Sequence, residues 1–318
     1  MHETGLITTY LREILENAKR CQSIGINDYC VRPWGKATLE RETQSRASWS
    51  WSSLQSINSR RNEYDFRALR SIMDALSRSN TAITTFSLVP ARPSRALQLH
   101  GSPTYEARLT QSRWMCGLTT LYFQMFVSSP SFRVEHVTEF INRLPQLQNL
   151  TLVCLPWEIH LWEGSFDAGI YQQLHEFVIL SGQMRVRCLR CLRLERFKSL
   201  SSSLIAIFEA HRATLREISL HAVAMISRTS VSWQSILEVL RDRLEISKLH
   251  MHHCSVARDV RYFSNHGLYH GGRGIFFQNI SGESHIFEVV VHGAGSLNRA
   301  IEGLRVGNLP KSHLITIS

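Results

Sequence analysis

"LRCLRLERF", residues 189–197, sets Leu189, Leu192 and Leu194 among Arg190, Arg193 and Arg196. Leucines two apart fit a β-strand, whose successive side chains point to opposite faces. Leu192 and Leu194 are therefore expected to enter a core. Cys191, Arg193 and Glu195 would occupy the other face, with Arg190 and Arg196 at the strand's flanks.

The same spacing recurs. "LQNLTLVCL" carries it at Leu147, Leu150, Leu152 and Leu155, and "LREISLHAV" at Leu215, Ile218, Leu220 and Val223. "LTTLYFQMF" from Leu118, "ISKLHMHHC" from Ile246 and "IFEVVVHGA" from Ile286 repeat it, and weaker copies start at Cys21 and Ile83. LxxLxL, followed two residues later by an apolar residue or cysteine, is the core of a leucine-rich repeat, which contributes one short strand per turn. Between the strands the apolar period becomes helical. Val137, Phe140, Ile141 and Leu144 stand at i, i+3, i+4 and i+7, as do Leu11, Ile14, Leu15 and Ala18, and Trp233, Ile236, Leu237 and Leu240. Ser232 and the serines at 201–203 are expected N-caps.

These signals predict an α/β fold: an irregular leucine-rich-repeat solenoid of alternating helices and short parallel strands, with a curved sheet on its concave face. One such unit is expected over 1–318, with polar insertions at 38–62 and 156–169. Motif starts at 21, 83, 118, 147, 189, 215, 246 and 286 are 26 to 62 residues apart, against about 20–29 in regular repeats. Two rival explanations are chance LxxLxL matches in a leucine-rich chain and an ordinary mixed α/β domain.

Composition narrows the class. Of 318 residues, 43% are hydrophobic and 19% charged, enough apolar material for a folded body. No apolar run is long enough to span a membrane, and Glu3, Glu13 and Glu16 interrupt the start where a signal core would lie. The cysteines number seven, at irregular spacings, with one isolated CxxC at Cys188 and Cys191. Reduced thiols in cytoplasm or nucleus are expected, and the sequons at Asn149 and Asn279 are then left unmodified. A net charge of +10 favours acidic partners in general, but the excess is spread along the chain, which makes nucleic acid an unfavoured partner.

Several stretches resemble successive repeats of one family, the fungal F-box and leucine-rich-repeat proteins. They are "RCQSIGINDYCVRPWGKATLERE", "LRSIMDALSRSNTAITTFSL", "LPQLQNLTLVCL", "AHRATLREISLHAV", "SWQSILEVLRDRLEISKLHM" and "GIFFQN". The resemblance covers most of the chain and implies that the repeats hold a substrate for a cullin-type ubiquitin ligase, while an F-box docks to the ligase core. The F-box's LPxEI-type opening is expected near the N-terminus, where residues 1–20 instead read as the helix of a first repeat. "LPWEI" at 155–159 is similar, but it follows a strand and runs into Gly164 and Gly169, so it reads as a loop without a long helix. Ligase docking then requires an F-box upstream of Met1.

In a solenoid the strands lie about 4.8 Å apart, and the third, fifth and seventh residues of each motif form the outward face. The third are Thr120, Asn149, Cys191, Glu217, Lys248 and Glu288. The fifth are Tyr122, Thr151, Arg193, Ser219, His250 and Val290, and the seventh are Gln124, Val153, Glu195, His221, His252 and His292. This mixture of polar, aromatic and charged groups suits a protein partner, with Tyr122, Arg193, Glu217, His221, His250 and His252 as the candidate contacts. No catalytic residue, cofactor or metal is assigned. The chain lacks GxSxG, HExxH and the kinase motifs. The histidines of "LHMHHCSVARDVRYFSNHGLYHGG" follow no ligand frame, and Gly271–Gly274 lacks a phosphate-binding order. The expected function is non-enzymatic protein binding. A basic nucleic-acid-associated protein and a zinc enzyme using the histidine-rich region are the alternatives.

Overall fold

A computed structural model describes residues 2–18, 20–27, 71–89, 112–125, 134–154, 166–226, 231–257, 273–278, 285–286, 288–292, 298 and 301–308. Contacts divide the chain into two units, 1–122 and 123–318. The insertion expected at 38–62 lies outside the described residues, as do 155–165.

In the first unit, α1 (His2–Asn17) precedes β1 (Ser23–Asn27), a helix α2 covers 71–78 before β2 (Thr85–Val89), and α3 (Arg113–Gly117) leads into β3 (Thr120–Met125), whose residues from Phe123 on are counted with the second unit. β1 and β2 are parallel, with Ile24 opposite Phe86 and Ile26 opposite Leu88. Phe86, Trp114, Leu76 and Ile83 are fully buried, and the Phe86 and Trp114 rings lie 5.7 Å apart. The expected apolar stripe of α1 is only partly used, since Ile14 is 46% exposed.

The second unit alternates helices and strands. α4 (Val134–Asn142) precedes β4 (Asn149–Cys154), and α5 (Phe166–Gln183) precedes β5 (Cys191–Glu195). α6 (Ser201–Ala210) precedes β7 (Glu217–His221), and α7 (Val231–Arg243) precedes β9 (Lys248–His252). β4, β5, β7 and β9 lie side by side, all parallel. Leu150, Leu192, Ile218 and Leu249 are consecutive partners across them, as are Leu152, Leu194, Leu220 and Met251. All eight are buried, and among the helices α4 packs on α5, α5 on α6 and α6 on α7.

A repeated hydrogen bond sets the register. The Gln148 carbonyl accepts from the Arg190 and Cys191 amides, the Arg190 carbonyl from Arg216 and Glu217, and the Arg216 carbonyl from Ser247 and Lys248, at 2.8–3.2 Å. Within the first unit the Gln22 carbonyl accepts from Thr84 and Thr85, and that of Thr84 from Thr119 and Thr120. Each acceptor is the second residue of its motif. The sequence repeat is thus also a repeat of backbone bonding.

After each of three strands the chain turns through a non-glycine residue in the left-handed region: Arg196 (φ 59°), Ala222 (φ 53°) and His253 (φ 51°). The next residues, Phe197, Val223 and Cys254, are buried. The chain then enters β6 (Lys198–Ser199), β8 (Ala224–Ile226) and β10 (Ser255–Ala257), which form a second parallel row. Trp233 on α7 ties into it by donating its indole N–H to the Ser255 carbonyl at 3.0 Å. β11 (Arg273–Gln278) joins β10 antiparallel and pairs with β12 (His285–Ile286) and β14 (Leu304–Asn308), also antiparallel.

Polar side chains lock successive turns. Asn142 accepts the Arg185 amide at 2.6 Å and donates to the Gln183 carbonyl at 2.9 Å, joining the end of α4 to the end of α5. Buried Glu176 on α5 accepts the first amide of α4, Val134, where a carboxylate suits the positive end of the helix dipole. Buried His211 accepts the Val186 amide on Nε2 at 3.1 Å, while Nδ1 lies 2.8 Å from the Ile207 carbonyl. These bonds fix the neutral Nδ1–H form, and burial pushes the His211 pKa down.

Four expectations need correction. β13 (Glu288–His292) pairs with β9 antiparallel, so the motif from Ile286 does not repeat the parallel arrangement. The last four residues of the insertion at 156–169 begin α5, and Gly169 lies within that long helix. Ser232 and the serines at 201–203 are inside the first turns of α7 and α6, and Leu200 is the N-cap of α6. Finally, Gln124 and Val153, expected to face outward, are buried.

Candidate functional site

The outward face of the second unit is a grid of three rows. Across β4, β5, β7 and β9 the first is Asn149, Cys191, Glu217 and Lys248, the second Thr151, Arg193, Ser219 and His250, and the third Glu195, His221 and His252, which buried Val153 precedes in register. Strand alternation and parallel pairing together bring these distant residues side by side. Arg193, Glu217 and Lys248 are exposed; Cys191, Glu195, Ser219, His221, His250 and His252 are half-buried.

Of the expected contacts, Arg193, Glu217, His221, His250 and His252 share this face. Tyr122 is half-buried on β3 and belongs to the first unit. The antiparallel course of β13 rearranges the expected histidine column. His292 pairs with Lys248, Val290 with His250 and Glu288 with His252. The third row therefore ends Glu195, His221, His252, Glu288.

Glu195 is the electrostatic hinge of that row. It pairs with Arg193 on its own strand, and one of its oxygens lies 3.9 Å from His221 Nδ1. The adjacent His221 imidazole, helped by Arg193, holds its carboxyl below the usual range against the opposing effect of burial. His221 and His252 are separated by 4.8 Å between ring centroids, and His250 and His252 by 6.3 Å. His253 was not assigned to the face from sequence, yet the left-handed corner brings its ring edge-on to His252 at 4.0 Å. The only signal for it was adjacency to a strand end.

Neither cysteine near the face is an activated nucleophile. Burial and the neighbouring Glu217 push the Cys191 thiol up, and burial pushes Cys254 up to about 12. No group of three or more histidine, cysteine or acidic residues among the described residues can hold a metal ion. His266 and His270 lie outside the described residues. A narrow recess in the second unit is lined by Val134, Cys154, Glu176, Phe177, Phe197 and Lys198, and burial lowers the Lys198 pKa to about 8. Chemically, the face offers an array of donors, acceptors and charges.

No protein-family model, no curated protein and no solved structure matches this chain. Among the described residues no helix is long and apolar enough to cross a membrane.

Proposed function

We propose that the chain is a non-enzymatic, leucine-rich-repeat-type solenoid that recognises another protein on its strand face. The observation that carries this reading is the row of matched partners Leu150, Leu192, Ile218 and Leu249, which anchors an outward grid of mixed charge and hydrogen-bonding capacity. Such a grid provides many separate contacts at fixed spacing, which suits an extended or folded protein surface. Benzoyl-phenylalanine in place of Ser219 would photo-crosslink a protein partner, and the same group in place of exposed Gln234 on α7 would not. Crosslinking from Gln234 alone would refute the assignment.

The resemblance to F-box and leucine-rich-repeat proteins supports a more specific form of this proposal: the partner is a ubiquitination substrate and the chain is the substrate-recognition part of a cullin-type ligase. Co-purification of ligase core subunits with the full gene product tests it. An empty capture, alongside a retained Ser219 crosslink, leaves a plain binding module.

A further inference from the structure

We propose that the β9 side of the strand face takes a carboxylate-rich segment of its protein partner, and takes it more tightly as the solution becomes acidic. This inference rests on the protein-binding reading above and specifies the chemistry of that site.

The outward residues of β9 are Lys248, His250 and His252. No carboxylate stands in that column. His221 approaches from β7, His253 from the corner and His292 from β13, where it pairs with Lys248. Among the described residues, Glu195 on β5 and Glu217 on β7 are the acidic residues at neighbouring outward positions. Glu195 is engaged by Arg193 and His221, while Glu217 stands in register between Cys191 and Lys248. Glu288 stands in register with His252. The face gains positive charge as its imidazoles protonate.

Imidazoles take up protons between about pH 5 and 8, and like charges a few ångströms apart oppose one another's protonation. The rings of His221, His250 and His253 lie 4.8, 6.3 and 4.0 Å from that of His252, close enough for one partner carboxylate to face several of them at once. A partner's carboxylates favour the charged rings. Binding and protonation then favour each other by linkage, and affinity rises as pH falls. A lysine-rich partner would meet the opposite effect.

The test is fluorescence anisotropy of the full chain with a labelled peptide of alternating Glu and Ser, at fixed ionic strength. Expected is roughly tenfold tighter binding at about pH 6 than at about pH 8, one pKa unit of coupling being a factor of ten. His221→Asn with His252→Asn should abolish the dependence. Imidazole proton NMR gives a second measurement on the unaltered chain: the titration midpoints of His221 and His252 should move up when peptide is added. Equal affinity at both pH values, an undiminished dependence in the double variant, or unmoved midpoints would overturn the proposal. So would equal competition by a generic DNA duplex, which would mark the face as a polyanion sink. If the peptide does not bind while Ser219 still crosslinks a protein, this inference fails and the protein-binding reading stands. Loss of the Ser219 crosslink is the separate failure of that reading.

Discussion

His221 and His252 lie side by side on neighbouring parallel strands, with ring centroids 4.8 Å apart and planes inclined by 31°. They are 31 residues apart in the chain, and only the register of β7 with β9 makes them neighbours. The surface chemistry therefore depends on the buried rows beneath it.

Leu220 is fully buried between Leu194 and Met251 in the row below those histidines. Leu220→Ala removes packing on both sides and should cost about 2–5 kcal/mol. Urea unfolding monitored by circular dichroism checks this. A loss under about 1 kcal/mol would mean that the row is not close-packed.

The corner residues make a prediction of the opposite sign. Ala222 has φ 53°, where an L-residue's Cβ crowds the neighbouring carbonyl. Ala222→Gly relieves that strain, and the greater entropy of an unfolded glycine offsets part of the gain. A net stabilisation of about 0.5–1 kcal/mol is expected in the same unfolding experiment.

Buried His211 gives stability a dependence on pH. Its pKa is lowered in the folded state, chiefly by burial, from the ordinary histidine value of 6.5. Below that value the unfolded chain binds a proton that the folded chain resists, so stability falls as pH drops through about 6.5 toward the folded pKa. His211→Gln keeps a donor and an acceptor without titrating. It should flatten that part of the stability profile, measured by denaturant midpoints at stepped pH.

Lys198 acts in the alkaline range. Burial lowers its pKa from 10.5 to about 8, so the folded chain sheds a proton that the unfolded chain retains. Stability is expected to rise between those values, and Lys198→Met should remove the rise. Denaturant midpoints between about pH 7.5 and 10.5 check it.

The alternation of Leu192 with Arg193 and Leu194 with Glu195 was legible because inward residues are apolar and outward ones polar. The helical stripes of α4 and α7 were legible for the same reason, and Val137, Ile141, Trp233 and Leu237 are indeed buried. Strand direction was not legible. A period of two reads the same both ways, so "FEVVVH" could not reveal that β13 runs antiparallel and pairs His292 with Lys248. β6, β8 and β10 have two or three residues each, too few for a period to register. Arg196, Ala222 and His253 lacked the glycine that usually marks a left-handed corner. Gly169 suggested a turn, but a helix carries an interior glycine at a cost of about 1 kcal/mol when its other contacts suffice.

The central claim, recognition of a protein by the strand face, is tested most directly by histidine footprinting. Diethyl pyrocarbonate modifies accessible imidazoles, and mass spectrometry locates the products. With the captured partner bound, His221, His250 and His252 should become protected, while His175, exposed on α5, keeps its reactivity. Protection of His175 with the three strand histidines unchanged would contradict the account.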